Sequence, residues 1–206
     1  MTHTDLRARS AAPRRRNPEA TKERLVTSAL ELFTTLGYHA STTPQIAAKA
    51  GVAEGTIYRH FSGKSHMFNE IYRGALRIYA KPLNEGKTIT NCKQKLEVLA
   101  ERWFDLTRRN RHLAYLVFVM PVEKLLDDES RNIRIEFHAL LISIMASGKS
   151  DGVVRSGSAE VWADVWLQLV ALAVNKLASG VWTGDKGYLT QVVDAAWQAV
   201  SVNSSR

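Results

Sequence analysis

Eight consecutive residues, Glu54-Gly55-Thr56-Ile57-Tyr58-Arg59-His60-Phe61, hold the densest set of groups in the chain able to read a duplex. Arg59 can give paired N–H bonds to guanine O6 and N7. Thr56 offers a hydroxyl to phosphate and a methyl to thymine, and Tyr58 and His60 can donate to phosphate oxygens. Gly55 lets the backbone approach closely. Ile57 and Phe61, four apart, share the other side of a helix and can plug into a small core with Ile46, Leu32 and Phe33. Lys64 follows where the next helix begins, so an ammonium and free N–H groups can share one phosphate. Glu54 can accept from a cytosine amine or simply face solvent. Taken singly, each residue has a plainer reading: a threonine as a cap, a tyrosine or histidine as half-buried core, a lysine as a solvated charge. The spacing is what points to nucleic acid.

Other chemistries fit the residues less well. Gly148-Lys149-Ser150-Asp151-Gly152 matches the nucleophile elbow G-x-S-x-G, which needs a strand before it and a helix after it. A helical apolar run precedes it instead, so we expect a loop. The same Gly-Lys-Ser is no phosphate loop, because Ser143 stands where the first glycine is required. The six histidines (His3, His39, His60, His66, His112, His138) include no i, i+4 pair, and no glutamate precedes a histidine by three. Asp127-Asp128-Glu129 lacks the calcium-loop spacing and its glycine. No catalytic residue, metal or cofactor is expected.

The elements that must position the reader are helices. Leu25, Ala29, Leu32, Phe33 and Leu36 recur at helical spacing after Thr21, a candidate cap, with Gly37 as the stop. A second helix is expected over Pro44–Ala50, with Ser41, Thr42 and Thr43 as capping oxygens and Gly51 ending it. A third covers Glu54–Phe61 after the turn Ala50-Gly51-Val52-Ala53, so the pair has the parts of a helix-turn-helix. A fourth starts near Lys64, carries Met67, Phe68, Ile71, Tyr72, Ala75, Leu76 and Tyr79 on one side, and ends between Pro82 and Gly86. Further helices are expected over Lys93–Asn110, His112–Met120, Asp128–Ser147, Ala159–Gly180 and Leu189–Val202, with a loop from Gly148 to Gly157. No period-two alternation or internal repeat appears, so the fold class is all-α. Three segments follow: a disordered basic arm at 1–18, a helix-turn-helix domain at 19–66, and a larger helical domain at 67–206.

The stretch Gly37-Tyr38…Ser41-Thr42-Thr43…Ile46-Ala47…Ala50-Gly51-Val52…Gly55-Thr56-Ile57-Tyr58…His60-Phe61…Lys64 resembles the tetracycline-repressor (TetR) family of bacterial transcriptional regulators. The resemblance covers the first third of the chain. It implies a homodimer on a palindromic DNA operator, released or retained when a small effector enters the C-terminal domain. The DNA contacts it implies fall on Thr42, Thr43, Gly55, Thr56, Tyr58, Arg59, His60 and Lys64. Three positions depart from the pattern. Ser41 replaces a common threonine but keeps the hydroxyl. Ala53 stands where a serine often caps, at a local cost of about 1 kcal/mol. Pro44 removes a backbone donor. The Arg14–Arg16 run can enter a minor groove or hang in solvent.

Charge and composition agree with two unlike parts. The 206 residues are 45% apolar and 23% charged, with a net charge of +8. Residues 1–80 hold 12 Lys/Arg against 6 Asp/Glu, and residues 81–206 hold 16 against 14. A basic head on a near-neutral body suits a polyanion binder with a second task. The single cysteine, Cys92, cannot form an internal disulfide, so nothing argues for secretion. We expect no membrane span, because the longest apolar run, Leu113 to Val122, is short and contains Pro121. A cytoplasmic location follows as an expectation. In the body, the two last helices are expected to form the homodimer interface. Trp103, Tyr115, Phe118, His138, Trp166, Gln168 and Asn175 are candidate effector contacts, with Phe104, Met120 and Phe137 beside them. The aromatics suggest an apolar or aromatic effector, and no basic cluster suggests a highly acidic one. The competing reading is a helical small-molecule-binding protein, or an enzyme, whose basic head reads no specific DNA.

Overall fold

The computed structural model of the protein describes residues 17–85, 89–183 and 186–202. The basic arm lies outside them except for Asn17 and Pro18. The described residues form eight α-helices and two short 3-10 segments. The one β feature among them is an isolated antiparallel bridge between Val154 and Ser201.

The head is built by α1 (Pro18–Thr35), α2 (Thr43–Ala50) and a 3-10 segment, Glu54–Arg59. Leu25, Ala29 and Phe33 of α1 meet Ile46 and Ala47 of α2, and Ile57 and Phe61 close the cluster; all are at most 2% exposed. The cap of α1 is Asn17 rather than Thr21. The Asn17 amide oxygen accepts from the N–H groups of Glu19 at 3.1 Å and Ala20 at 3.4 Å, and Pro18 takes the first turn, where no donor is needed.

From the head, α3 (Lys64–Glu85) runs into the body. Its 22 residues span about 33 Å at 1.5 Å per residue. The stripe Met67, Phe68, Ile71, Tyr72, Ala75, Leu76 and Tyr79 is buried along the whole length. Pro82 lies inside this helix rather than ending it. It removes one backbone donor, and the helix gives out within a turn.

The body adds α4 (Cys92–Arg109), α5 (Arg111–Phe118), α6 (Asp128–Ser150), α7 (Ala159–Ala178) and α8 (Lys186–Val200). α7 is the central helix and packs against α4, α5, α6 and α8. By length and composition it would suffice to cross a membrane, contrary to the expectation that no segment would. In the fold, Ala163, Trp166, Val170, Ala173 and Val174 are fully buried in the core instead. α6 continues through Gly148 to Ser150, three residues past its expected end. Gly148 is buried, and a Cβ there would meet Val154 Cγ2 at 2.6 Å and Cys92 Sγ at 2.7 Å. Glycine therefore serves close packing at this position, and the elbow-like motif occupies the last helical turn.

Two polar links tie head and body. Thr34 Oγ1 of α1 and His112 Nδ1 of α5 are 2.7 Å apart. On α3, Arg73 is only 3% exposed, yet reaches Glu70 at 2.7 Å, Asp127 at 3.0 Å, Ser130 at 3.2 Å and Glu129 at 3.3 Å. One turn earlier, Asn69 donates to the carbonyls of Ser65 and Leu125 and accepts from the Asp127 N–H at 2.9 Å. A buried guanidinium is costly unless fully paired. Here the pairing fastens α3 to the first turn of α6.

Candidate nucleic-acid interface and effector cavity

The reading segment is a 3-10 helix rather than an α-helix. Ala53 supplies no side-chain cap, Gly55 weakens helix propensity, and six residues leave little length for α-helical nucleation. Thr56 N–H bonds the Ala53 carbonyl at 2.9 Å, and His60 and Phe61 both donate to the Ile57 carbonyl. The tighter winding still sends Ile57 inward, 0% exposed, and Tyr58 outward, 56% exposed. Gly55 and Arg59 are exposed, and Thr56 and His60 are half-buried.

α2 presents its own N-terminus beside this face. Thr42 and Gln45 form a reciprocal capping box: Gln45 N–H reaches Thr42 Oγ1 at 3.4 Å, and Thr42 N–H reaches Gln45 Oε1 at 2.8 Å. Thr43 Oγ1 donates to Glu54 Oε1 at 3.0 Å and so pins the start of the reading segment to α2. Ser41 is fully buried and donates to the Gly37 carbonyl, so it caps nothing. Gly51 closes α2 at φ +65°, a left-handed conformation that glycine adopts without strain.

Lys64 stands apart from the other expected contacts. Its ammonium donates to the carbonyls of Tyr38 at 3.0 Å and Ser41 at 2.9 Å and lies 4.3 Å from the Tyr38 ring centroid. It is half-buried and braces the turn that leads into α2. Of its three protons, one remains free of these carbonyls.

In the body, a cavity of about 620 Å³ lies among α3, α5, α6 and α7. Of the expected effector contacts it takes in Phe118, His138 and Gln168, and Phe137 beside them. Trp103 and Trp166 are fully buried behind that wall, where the Trp103 ring meets Phe118 at 5.0 Å, Phe137 at 5.8 Å and Trp166 at 5.8 Å. The Trp103 indole donates to the Tyr79 carbonyl at 2.9 Å. Tyr115 and Asn175 are half-buried and, like Met120, do not line the cavity. Phe104 lines a separate groove between α4 and α8.

Sequence reasoning overlooked the charged rim. Arg131, Arg134 and His138 recur at spacings of three and four on α6, one face of a helix, which was the available signal. Arg134 pairs with Glu123 at 2.8 Å, and Arg131 with Asp128 at 2.5 Å. His138 Nε2 and Asp164 Oδ1 are 2.7 Å apart across α6 and α7. Tyr72 of α3 also lines the cavity, and burial pushes its phenol up to about 12.

Known proteins agree with this geometry. Residues 25–71 match the family model of bacterial regulatory proteins, tetR family. The chain is 25% identical over 136 residues to the fatty acid metabolism regulator protein of Bacillus subtilis, covering 65% of this chain and 70% of that one. It is 28% identical over 137 residues to the transcriptional repressor KstR2 of Rhodococcus jostii, covering 64% and 67%. Two further curated relatives are covered over only about half their length. The regulator FadR of Bacillus subtilis, solved in complex with stearoyl-CoA, superposes with a TM-score of 0.68 at 21% identity, over 86% of this chain and 98% of that one. With its reading segment facing outward from a helix-turn-helix head, residues 25–71 match the DNA-binding domain of bacterial regulatory proteins of the tetR family, and the chain is a DNA-binding regulator of transcription.

Proposed function

We propose that the protein is a homodimeric, ligand-responsive repressor. It holds a palindromic operator through Thr42, Thr43, Gly55, Thr56, Tyr58, Arg59 and His60, with Lys64 bracing the head and offering its remaining proton to phosphate. The observation that carries this reading is the division of one short segment. Ile57 and Phe61 are sealed in the core, while Tyr58 and Arg59 are exposed and Thr56 and His60 are half-buried. Phosphate contacts would set the register, and Arg59 would read a guanine.

Two exposed helix faces support the homodimer. Val161 and Leu172 of α7 are 52% and 46% exposed and fall on one face, and Tyr188 of α8 is 50% exposed. Apolar surface of this kind calls for a partner. The cavity supports a small, largely apolar effector: its interior is formed by Leu76, Val117, Phe118, Phe137, Leu167 and Ala171. Its wall includes α3, the helix whose first residue is Lys64, so a ligand that moves α3 moves the reading head. A hundredfold loss of operator affinity requires about 2.7 kcal/mol of coupling.

Selecting bound sequences from random duplexes tests this function. A two-fold symmetric site should emerge, with half-sites about 34–36 Å apart or a multiple of that. Binding without sequence preference, at the strength of binding to heparin, would return the chain to the competing reading of a small-molecule-binding helical protein.

A further inference from the structure

One end of the effector cavity has a donor set that the apolar interior does not require. Tyr72 is 1% exposed and lines the cavity from α3. Arg134 lines it from α6 and is held by Glu123 at 2.8 Å, and both charges act on the Tyr72 phenol. Arg131, one turn earlier on α6, reaches the same lining, but its guanidinium already donates to the Leu126 carbonyl and to Asp128. This end therefore gathers one phenol and one loosely held guanidinium, that of Arg134, which only donate hydrogen bonds when they meet an anion.

The acids that face these donors hold them loosely. The side chains of Glu123 and Arg134 are 61% and 44% exposed, and an ion pair so exposed contributes little. The remaining cavity carboxylates, Glu160 and Asp164, belong to α7, and Asp164 already meets His138 at 2.7 Å.

We infer that the cavity takes an amphiphile with one anionic head, which displaces Glu123 from Arg134 and accepts from the Tyr72 hydroxyl while its apolar chain lies against Phe118 and Phe137. This rests on the effector reading above and specifies its ligand class. The head would then touch α3 at the residue next to Arg73, where α3 is fastened to α6. Arg134 alone binds an anion as a charge. Tyr72 makes the binding felt by the helix that carries the reading head. The sequence expectation of an apolar effector is kept for the chain of the ligand and revised for its head, because Arg134 becomes a neighbour of Tyr72 only in the fold.

Four probes of equal length test the inference below their micellar concentrations: dodecanoate, dodecyl phosphate, dodecan-1-ol and dodecyltrimethylammonium. Calorimetry on the full chain gives affinity, and release of the selected operator gives response. Dodecanoate or dodecyl phosphate should bind at least tenfold more tightly than the alcohol, and their ranking separates a carboxylate ligand from a phosphate ester. Arg134→Gln should erase the preference for the anions. Glu123→Gln should tighten anion binding several-fold and leave the alcohol unchanged. Tyr72→Phe should weaken coupling to operator release more than it weakens binding. Alcohol or ammonium binding as tightly as the anions, with operator release, would overturn the anionic head and leave the effector reading standing. Failure of all four to bind a protein that still holds its operator would overturn both for this cavity. Anion preference that survives Arg134→Gln would also overturn the inference.

Discussion

Arg59 and Lys64 are both basic and lie five residues apart, yet the structure separates their expected effects. Arg59 is exposed and free to choose a base edge. Arg59→Ala should cost about 1–3 kcal/mol on the selected operator and relax the preference at one position in each half-site, measured by competition with single-base variants. Lys64 holds two carbonyls of the turn before α2. Lys64→Ala should therefore lower the stability of the head by about 1–2 kcal/mol in thermal melts without DNA, besides weakening all sequences alike. An unchanged melting temperature would reduce Lys64 to a surface charge. This difference was not readable from the chain, because the partners of Lys64 are backbone oxygens 23 and 26 residues away. The outward face of the reading segment was readable, because two apolar residues four apart dictate which side is left. Thr43 and Glu54 illustrate the limit: each appeared to have solvent or DNA as its partner, and they bond one another.

Among the elements, helix positions were legible wherever an apolar stripe met a cap or a glycine, as in α2 between Thr42 and Gly51. The C-terminal end of α6 was misplaced for a physical reason that involves distant residues. Gly148 reads as a breaker alone, but in the fold it is the gap that admits Cys92 and Val154. The joint between α3 and α6 was not legible, since Arg73 and Asp127 are 54 residues apart. That joint has a pH signature. Hydrogen bonding from Arg73 holds the Glu70 carboxyl below its usual range. Burial pushes Asp127 upward, but the Ser130 hydroxyl and N–H together with Arg73 pull it further down. The folded chain then binds fewer protons than the unfolded chain near pH 4. The resulting stability is complete above the unfolded pKa values of about 3.9 and 4.3, and is lost as pH falls through the lower folded values. Arg73→Met should lower stability at pH 7 by about 1–2 kcal/mol, since both carboxylates are partly solvated and screened. It should also shallow the acid limb as pH falls below the unfolded carboxylate values, measured in urea melts. An acid limb as steep as that of the parent protein would show that these carboxylates draw their shifts from elsewhere.

At the scale of the whole molecule, one head offers the duplex a six-residue segment and the N-terminus of α2, a small contact for a specific complex. In the proposed homodimer the second head comes from a copy fixed at the right spacing, and the exposed face of α7 supports that helix as the place to fix it. This helix spends one face on the core, with Trp166 and Val170 fully buried, while Val161 and Leu172 remain exposed three turns apart on another. The exposed face needs no rearrangement to meet its equivalent across a two-fold axis, where each residue would oppose its own copy or a near neighbour. Leu172→Glu should therefore leave the fold intact, because the side chain already reaches solvent, and should place two like charges in the interface of any pair. Sedimentation equilibrium should change from dimer to monomer with the helical circular-dichroism spectrum unchanged. Affinity for a single half-site duplex should stay the same, while affinity for the full operator should fall by about a hundredfold or more, as the linked second contact is lost. A variant that remains dimeric with full operator affinity would move the interface away from this face of α7 and leave its apolar surface to another partner.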